Sequence, residues 1–245
     1  QRELSPNPFT DYRLMVTFYQ GNRHFLVPGY FAADGNAGNT GASGGSKWRV
    51  HFTPDQPGNW RWEASFRQGD WIAISDDLKE GNATFFNGSR GSFEVGPTDR
   101  KAPDLRAKGR LTYVGKHHLQ FAGSKEYFVK GGPDAPEVFL AYQEIDGTYA
   151  HDGKEDYMKH WTPHVKDWQS GDPTWKDEKG KGIIGALNYL SSKGLNVVSF
   201  LTMNTEGDGK NVWPWISDHD FAHFDCSKLD QWEIIFDHAQ RKGIY

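Results

Sequence analysis

The chain has 245 residues and a formal net charge of −4 at pH 7. This length fits one or two domains, and the acidic balance argues against a nucleic-acid-binding protein, which concentrates basic residues in a patch. No run of about 18 apolar residues occurs, so no membrane span is predicted. The one cysteine, Cys226, excludes an internal disulfide and a multi-cysteine metal site. We expect it to be a small buried residue in a strand-to-helix loop.

The first hundred residues contain short segments rich in Val, Phe, Tyr and Trp, separated by turn-forming residues. Alternation such as Trp60, Trp62 and Ala64 would bury one face of a strand. Several short strands between turns predict an antiparallel β-sandwich of immunoglobulin or fibronectin type over residues 1–97. The predicted strands are residues 13–19, 24–31, 47–52, 59–66 and 92–95.

Residues 98–125 read as a proline-punctuated linker followed by a hairpin, in which residues 111–114 and 117–121 alternate. From residue 126 the pattern changes to helices alternating with apolar strands, which indicates a parallel sheet covered on both faces. The predicted helices are residues 182–193 and 228–242, and the predicted strands are residues 127–130, 196–201 and a strand that starts at Ile244.

Residues 133–179 form a connection of about 47 residues, far longer than ordinary connections, which indicates a functional segment. Its helical turns over residues 156–168 are expected to break at Pro163. A parallel sheet does not end on the first residues of a strand, so we expect the native protein to continue beyond Tyr245.

The stretch of residues 30–66, with AADGNAG, KWRVHFTPDQPGNWRW and ASF, resembles the small β-sandwich domain in front of a family of secreted bacterial glycoside hydrolases. That domain has long been filed as of unknown function. The resemblance continues through KGGPDAPE, DGTYAHDG, HVKDW and GDGKNVWP, which look like the opening of the family's (β/α)8 barrel of the TIM type. It implies that residues 126–245 hold barrel strands one to three. It also implies a secreted or periplasmic location, a polysaccharide or oligosaccharide substrate and no cofactor.

The carboxyl ends of the strands face the active site in barrels of this class. Segments 131–152 and 202–216 should therefore meet at that face. Amide side chains match sugar hydroxyls because they donate and accept together, and Trp rings offer stacking surfaces. A packed, capped loop of purely structural value explains the same residues equally well. The predicted substrate-binding residues are Asp134, Glu137, Tyr149, His151, Asn204, Asn211, Trp213 and Trp215.

Glycoside hydrolysis normally needs two carboxylates on either side of the scissile bond. In the clan that shares this barrel, the acid/base follows strand four and the nucleophile ends strand seven. The resemblance thus implies that both lie beyond Tyr245 and that the present chain alone is inactive. Glu206 and Asp208 are the remaining candidates for proton transfer, although binding of sugar hydroxyls or shaping of a turn explains them as well.

Two histidine pairs have H-x3-H spacing, His160 with His164 and His219 with His223. Neither carries the HExxH pattern of a zinc hydrolase, and no EF-hand loop surrounds Glu206, so we predict no metal. Two function classes stay open: the N-terminal portion of a glycoside hydrolase, with a carbohydrate substrate and a missing C-terminal barrel segment as partners, or a non-catalytic carbohydrate-binding or adhesion module.

Overall fold

The structure is a computed structural model that describes residues 6–133, 138–150, 157–204 and 210–245. Its N-terminal half is β-rich, and the predicted strands there are confirmed to within a few residues. The strands are β1 (Tyr12–Gln20), β2 (Arg23–Phe31), β3 (Trp48–Val50), β4 (Gly58–Gln68), β5 (Asn82–Ala83) and β6 (Arg90–Val95). A short helix, α1 (Ala37–Thr40), lies in the Gly-rich loop between β2 and β3.

These strands form one six-stranded sheet in the order β3-β2-β1-β4-β5, with β6 also pairing with β4. Every pairing is antiparallel, and Val16 of β1 lies opposite Val27 on one side and Ala64 on the other. The predicted antiparallel β-rich domain is thus present, and its strands are joined in one hydrogen-bonded sheet. The long strands β1 and β4 make this possible, because each of them pairs along both of its edges.

One face of the sheet carries the aromatic core. Leu14, Val16 and Phe18 of β1 share that face with Trp60 and Phe66 of β4. In a flat sheet, β3 and β4 would lie about 14 Å apart, three strand spacings. The ring centroids of Trp48 and Phe66 are nevertheless 4.7 Å apart. The sheet is therefore strongly curled, and it covers much of its own apolar face.

The predicted hairpin after the linker is confirmed, since β7 (Leu111–Thr112) pairs antiparallel with β8 (Gln120–Phe121). The predicted strand over residues 127–130 is wrong: only a single bridge joins Tyr127 to Gln120. One isolated bridge gives no repeating ladder, and a strand needs that ladder to satisfy its backbone groups.

Both helices predicted for the C-terminal half are confirmed, as α2 (Lys181–Ser192) and α3 (Cys226–Arg241). Asp225 starts α3, because its side chain accepts the Lys228 N–H as an N-cap. Cys226 is buried and is the first residue of that helix. Pro163 does not break a helix as expected. It lies in the first turn of the 3₁₀ helix Thr162–Asp167, where the missing N–H of proline costs nothing.

Helix α2 packs directly on that 3₁₀ helix. A Cβ on Gly185 would collide with the carbonyl oxygen of His164, and one on Gly182 would lie 2.9 Å from the carbonyl oxygen of His160. The two glycines therefore permit backbone-to-backbone contact that a larger residue would prevent.

The predicted strand over residues 196–201 is also not a regular strand. The segment still makes backbone hydrogen bonds on both sides: Asn196 N–H donates to Gly131 at 2.8 Å, and Val198 N–H donates to Tyr245 at 2.8 Å. Tyr245 N–H in turn donates to Asn196 at 3.0 Å, which is the pattern of a parallel pair. These few bonds bring residues 131–133, 196–199 and 244–245 side by side, but they do not make a barrel among the described residues.

The two halves of the chain contact each other through α3. Gln231, fully buried, donates to the Gly38 carbonyl of α1 at 2.9 Å and accepts the Asp146 N–H at 2.8 Å. Asp230 accepts the Gly38 N–H at 2.8 Å and pairs with Arg49 of β3 at 3.0 Å. No helix in the described part of the chain is long and apolar enough to cross a bilayer.

Candidate functional site

The segments predicted to form the site do meet in the structure. The ring centroids of Tyr149 and Trp213 are 4.8 Å apart with an interplanar angle of 71°, an edge-on contact. The Tyr149 hydroxyl reaches Asp218 Oδ1 at 3.5 Å. Burial and the charge of Asp218 raise the pKa of Tyr149, which keeps its hydroxyl protonated at neutral pH. Tyr149 remains 45% exposed, so its ring can be reached from solvent.

The two tryptophans of this loop differ from Tyr149 in exposure. Trp213 is 1% exposed, so its ring supports Tyr149 and offers no open stacking face. Trp215 is half-buried, and its ring packs edge-on against Phe221 at 4.7 Å. Phe221 is 63% exposed. Tyr149 and Phe221 are therefore the exposed rings, each packed edge-on against one of the more buried tryptophans.

The two predicted amide residues are both buried. Asn204 closes the loop: its Oδ1 accepts the N–H groups of Asn211 at 3.0 Å and Val212 at 2.8 Å. Its own N–H donates to the Val212 carbonyl at 3.0 Å. This arrangement gives Asn204 a structural role in shaping the loop. Whether either amide also meets a ligand stays a prediction.

Lys228 holds the loop to helix α3. Its side chain is almost fully buried, and its Nζ donates to the carbonyls of Trp213 at 3.1 Å and Trp215 at 3.3 Å. The same ammonium lies 4.8 Å from the centroid of the Trp213 ring. Burial lowers the pKa of Lys228 to about 8, against a smaller opposing effect of Asp225. The lysine therefore fixes the backbone on which Tyr149 rests.

Two carboxylates meet at the start of α3. The Asp146 side chain accepts from Ser227 Oγ and from Lys176 Nζ. Burial opposes ionisation of Asp146, but these two partners lower its pKa below the ordinary value. Burial raises the pKa of Asp225, and the charge of Asp146 adds to that effect. Asp225 caps the positive end of the helix, and Asp146 holds the Ser227 hydroxyl in its first turn, so both carboxylates have a structural role.

Glu144 is a third carboxylate near the predicted site, and it is also engaged. Its Oε2 accepts the Gly180 N–H at 2.7 Å, just before α2 begins, and accepts the hydroxyl of Tyr142. Burial and the adjacent Glu144 raise the pKa of Tyr142, so that hydroxyl stays a donor. Glu144 thus anchors α2 and is not presented to solvent as an acid.

Five of the predicted site residues lie outside the described residues: Asp134, Glu137, His151, Glu206 and Asp208. Their roles stay predictions. Of the histidine pairs, His164 bonds Asp167 at 2.9 Å and His223 bonds Asp220 at 2.9 Å. Among the residues described, no group of three or more His, Cys, Asp or Glu side chains could hold a metal ion.

Sequence reasoning missed Lys228, although a signal for it was present. Lys228 lies four residues before Trp232 and seven before Ile235, so it falls on the buried face of α3. A lysine in that stripe indicates a buried ammonium with fixed acceptors. His238 extends the same face. It is 2% exposed and bonds Asn188 of α2 at 2.9 Å.

Comparison with known proteins gives two matches. Residues 1–67 match a family described as a domain of unknown function (DUF5060). A crystal structure described as a putative glycoside hydrolase from Bacteroides vulgatus ATCC 8482 aligns with a TM-score of 0.56 at 19% identity. The alignment covers 97% of this chain and 36% of that one. No curated protein matches the chain. At this identity the likeness shows a shared fold, and the chain spans 36% of the length of that structure.

Proposed function

We propose that this chain is the N-terminal portion of a glycoside hydrolase that acts on a polysaccharide or an oligosaccharide. The description of the protein that shares its fold supports a carbohydrate-related role. Within the chain, the observation that carries the proposal is the exposed ring of Tyr149, braced by the buried ring of Trp213.

The chemistry of this arrangement suits a sugar. A pyranose presents a C–H face that packs on an aromatic ring and hydroxyls that need hydrogen-bonding partners. Tyr149 offers both a ring and a hydroxyl, and Phe221 offers a second exposed ring. Because Lys228 and Trp213 hold the supporting loop, little conformational entropy would be lost when a ligand binds.

The finer form of the proposal concerns the barrel. We propose residues 126–245 as the region of strands one to three of a (β/α)8 domain, following the hydrogen-bonded order of residues 131–133, 196–199 and 244–245. The acid/base and the nucleophile would then lie beyond Tyr245, and Glu206 and Asp208 would bind sugar hydroxyls, orient their neighbours or shape the turn. A secreted or periplasmic location belongs to the same proposal.

The test uses two proteins. The complete gene product should hydrolyse at least one of cellohexaose, xylohexaose, mannohexaose and laminarihexaose, and the 245-residue chain should hydrolyse none. In the complete protein, Tyr149→Ala should reduce kcat/KM about 10-fold, since it removes a stacking ring. Tyr113→Ala, at an exposed tyrosine of the hairpin, should leave kcat/KM unchanged. Turnover by the 245-residue chain that is abolished by Glu206→Gln would overturn this assignment.

The alternative is a non-catalytic carbohydrate-binding or adhesion module. It is favoured by one observation: Glu144, Asp146 and Asp225 are all engaged in bonds within the chain. The same assay separates the two functions. A complete gene product that binds a hexasaccharide but cleaves none of the four would support the module.

A further inference from the structure

A cleft of about 1020 Å³ lies between the curled sheet and helix α3. Its walls include Tyr30 and Phe52 on the side of the sheet and Trp232, Glu233 and Phe236 on the helix. Its volume is at the upper end of the range for small-molecule sites, which favour interfaces of this kind. Among the described residues, none of the sugar-binding candidates discussed above lines it, and Tyr149 and Trp213 lie outside its walls.

A cluster of polar side chains stands at the wall of this cleft. The Tyr30 hydroxyl lies 2.6 Å from His51 Nε2 and 3.3 Å from Glu233 Oε2, and His51 lies 3.3 Å from Glu233 Oε1. The rings of Tyr30 and His51 are parallel, with an interplanar angle of 9° and centroids 5.6 Å apart. Tyr30 is 40% exposed, so the cluster offers a flat aromatic surface beside hydrogen-bonding atoms.

Several charged groups at the lining form ion pairs within the chain. Arg49 binds Glu233 at 3.1 Å and Asp230 at 3.0 Å, and Arg106 binds Asp237 at 3.4 Å. The buried guanidinium of Arg13 donates to the carbonyls of Ile72, Ser75 and Asp77. Asp76, exposed at the edge, is the lining carboxylate for which no ion pair is formed in the described chain. The lining thus holds the two guanidiniums Arg13 and Arg106 against the four carboxylates Asp76, Asp230, Glu233 and Asp237, and this excess of negative charge disfavours an anion.

We propose that this cleft binds a neutral oligosaccharide, with Tyr30 and His51 as the platform for one sugar ring. Parallel exposed rings accept the C–H face of a pyranose. The hydroxyl of Tyr30, the imidazole of His51 and the carboxylate of Glu233 supply both donors and acceptors for sugar hydroxyls. The excess of carboxylates in the lining disfavours an acidic glycan. The inference rests on the proposed function, since it adds a second binding site for the same substrate class.

Titration calorimetry of the 245-residue chain with cellohexaose, xylohexaose, mannohexaose and laminarihexaose tests the proposal. We expect at least one of the four to bind. Tyr30→Phe, which removes only the hydroxyl, should raise its Kd about 5-fold, the effect of one lost hydrogen bond. Tyr30→Ala should raise the Kd about 20-fold, because the ring is lost as well. Hexagalacturonate, an acidic glycan, should bind about 10-fold more weakly than the best neutral one.

Tyr113→Phe is the matched control, since this tyrosine is 77% exposed on the hairpin, does not line the cleft and should leave the Kd unchanged. Thermal unfolding of each variant separates a binding defect from a folding defect. Equal binding by the protein and Tyr30→Ala would overturn the cleft assignment, as would the absence of binding to all four neutral glycans. If Tyr149→Ala abolishes binding while Tyr30→Ala does not, the cleft fails and the proposed function stands.

Discussion

The two halves of the molecule bury different kinds of side chain. The core of the sheet is aromatic and aliphatic: Trp60 and Phe66 are fully buried among other rings. The helical half buries polar groups as well. Apart from Arg13 and Asp104, the buried polar residues of the described chain lie between Asn188 and His238.

The comparison shows which contacts require exact placement of their atoms. Apolar packing tolerates small adjustments, whereas a buried polar group must meet its partner at a fixed distance. The helical half therefore uses Lys228, Asn204 and Gln231 to fix loops whose backbone has no strand partners. The sheet needs fewer such groups because its ladder hydrogen bonds already fix the backbone.

The largest expected effect tests the aromatic core. Phe66→Ala should lower the free energy of unfolding by about 4 kcal/mol, because the ring is fully buried and its loss leaves a cavity. Phe85→Ala is the control: that ring stacks on Phe66 at 5.8 Å but is 78% exposed, so its loss should cost less than about 1 kcal/mol. Urea unfolding of both variants gives the comparison, and equal losses would contradict the burial argument.

The second effect tests the polar core. Lys228→Met keeps most of the volume but leaves the carbonyls of Trp213 and Trp215 without their donor. We expect a loss of about 3 kcal/mol in the free energy of unfolding. Lys193→Met, at an exposed lysine after α2, should cost less than about 0.5 kcal/mol. A Lys228→Met protein as stable as its parent would show that the loop is held by packing alone.

The sequence predicted the structure best for elements that residues close together in the chain determine. The alternation around Trp60 and the apolar stripe of α3 each predicted an element that exists. The single curled sheet could not be predicted, because closure depends on which edges of β1 and β4 pair over long range. The exposure of Trp213 could not be predicted either, since Lys228 and Tyr149 reach it from distant parts of the chain.

The third effect is a pH dependence in the helical half. Burial lowers the pKa of His238 from an ordinary value near 6.5 to about 4. The folded state thus favours neutral His238, and this stabilisation is complete above about pH 6.5 and lost as the pH falls toward 4. We expect a loss of about 3 kcal/mol over that window. The loss should be reduced in His238→Gln but kept in His118→Gln, where the histidine is exposed.

The smallest effect concerns the contact between the halves. Arg49→Ala removes the pairs with Asp230 and Glu233, and we expect a cost of about 1 kcal/mol that shrinks at high salt. Arg90→Ala is the control, because its pair with Glu63 lies within the sheet and is more exposed. If Arg49→Ala splits a single unfolding transition into two, the halves are coupled mainly through this arginine. If Arg49→Ala still unfolds in a single transition, the two halves are instead coupled mainly through Gln231 and its neighbours.

The residue at position 185 reports on the backbone course of the segment before α2. Any residue larger than glycine there collides with the backbone of the 3₁₀ helix Thr162–Asp167. A related sequence that carries alanine at this position must therefore have moved or lost that short helix. Among related sequences, those with glycine at this position can keep the same backbone course. Those with a larger residue must have a different structure in the segment before α2.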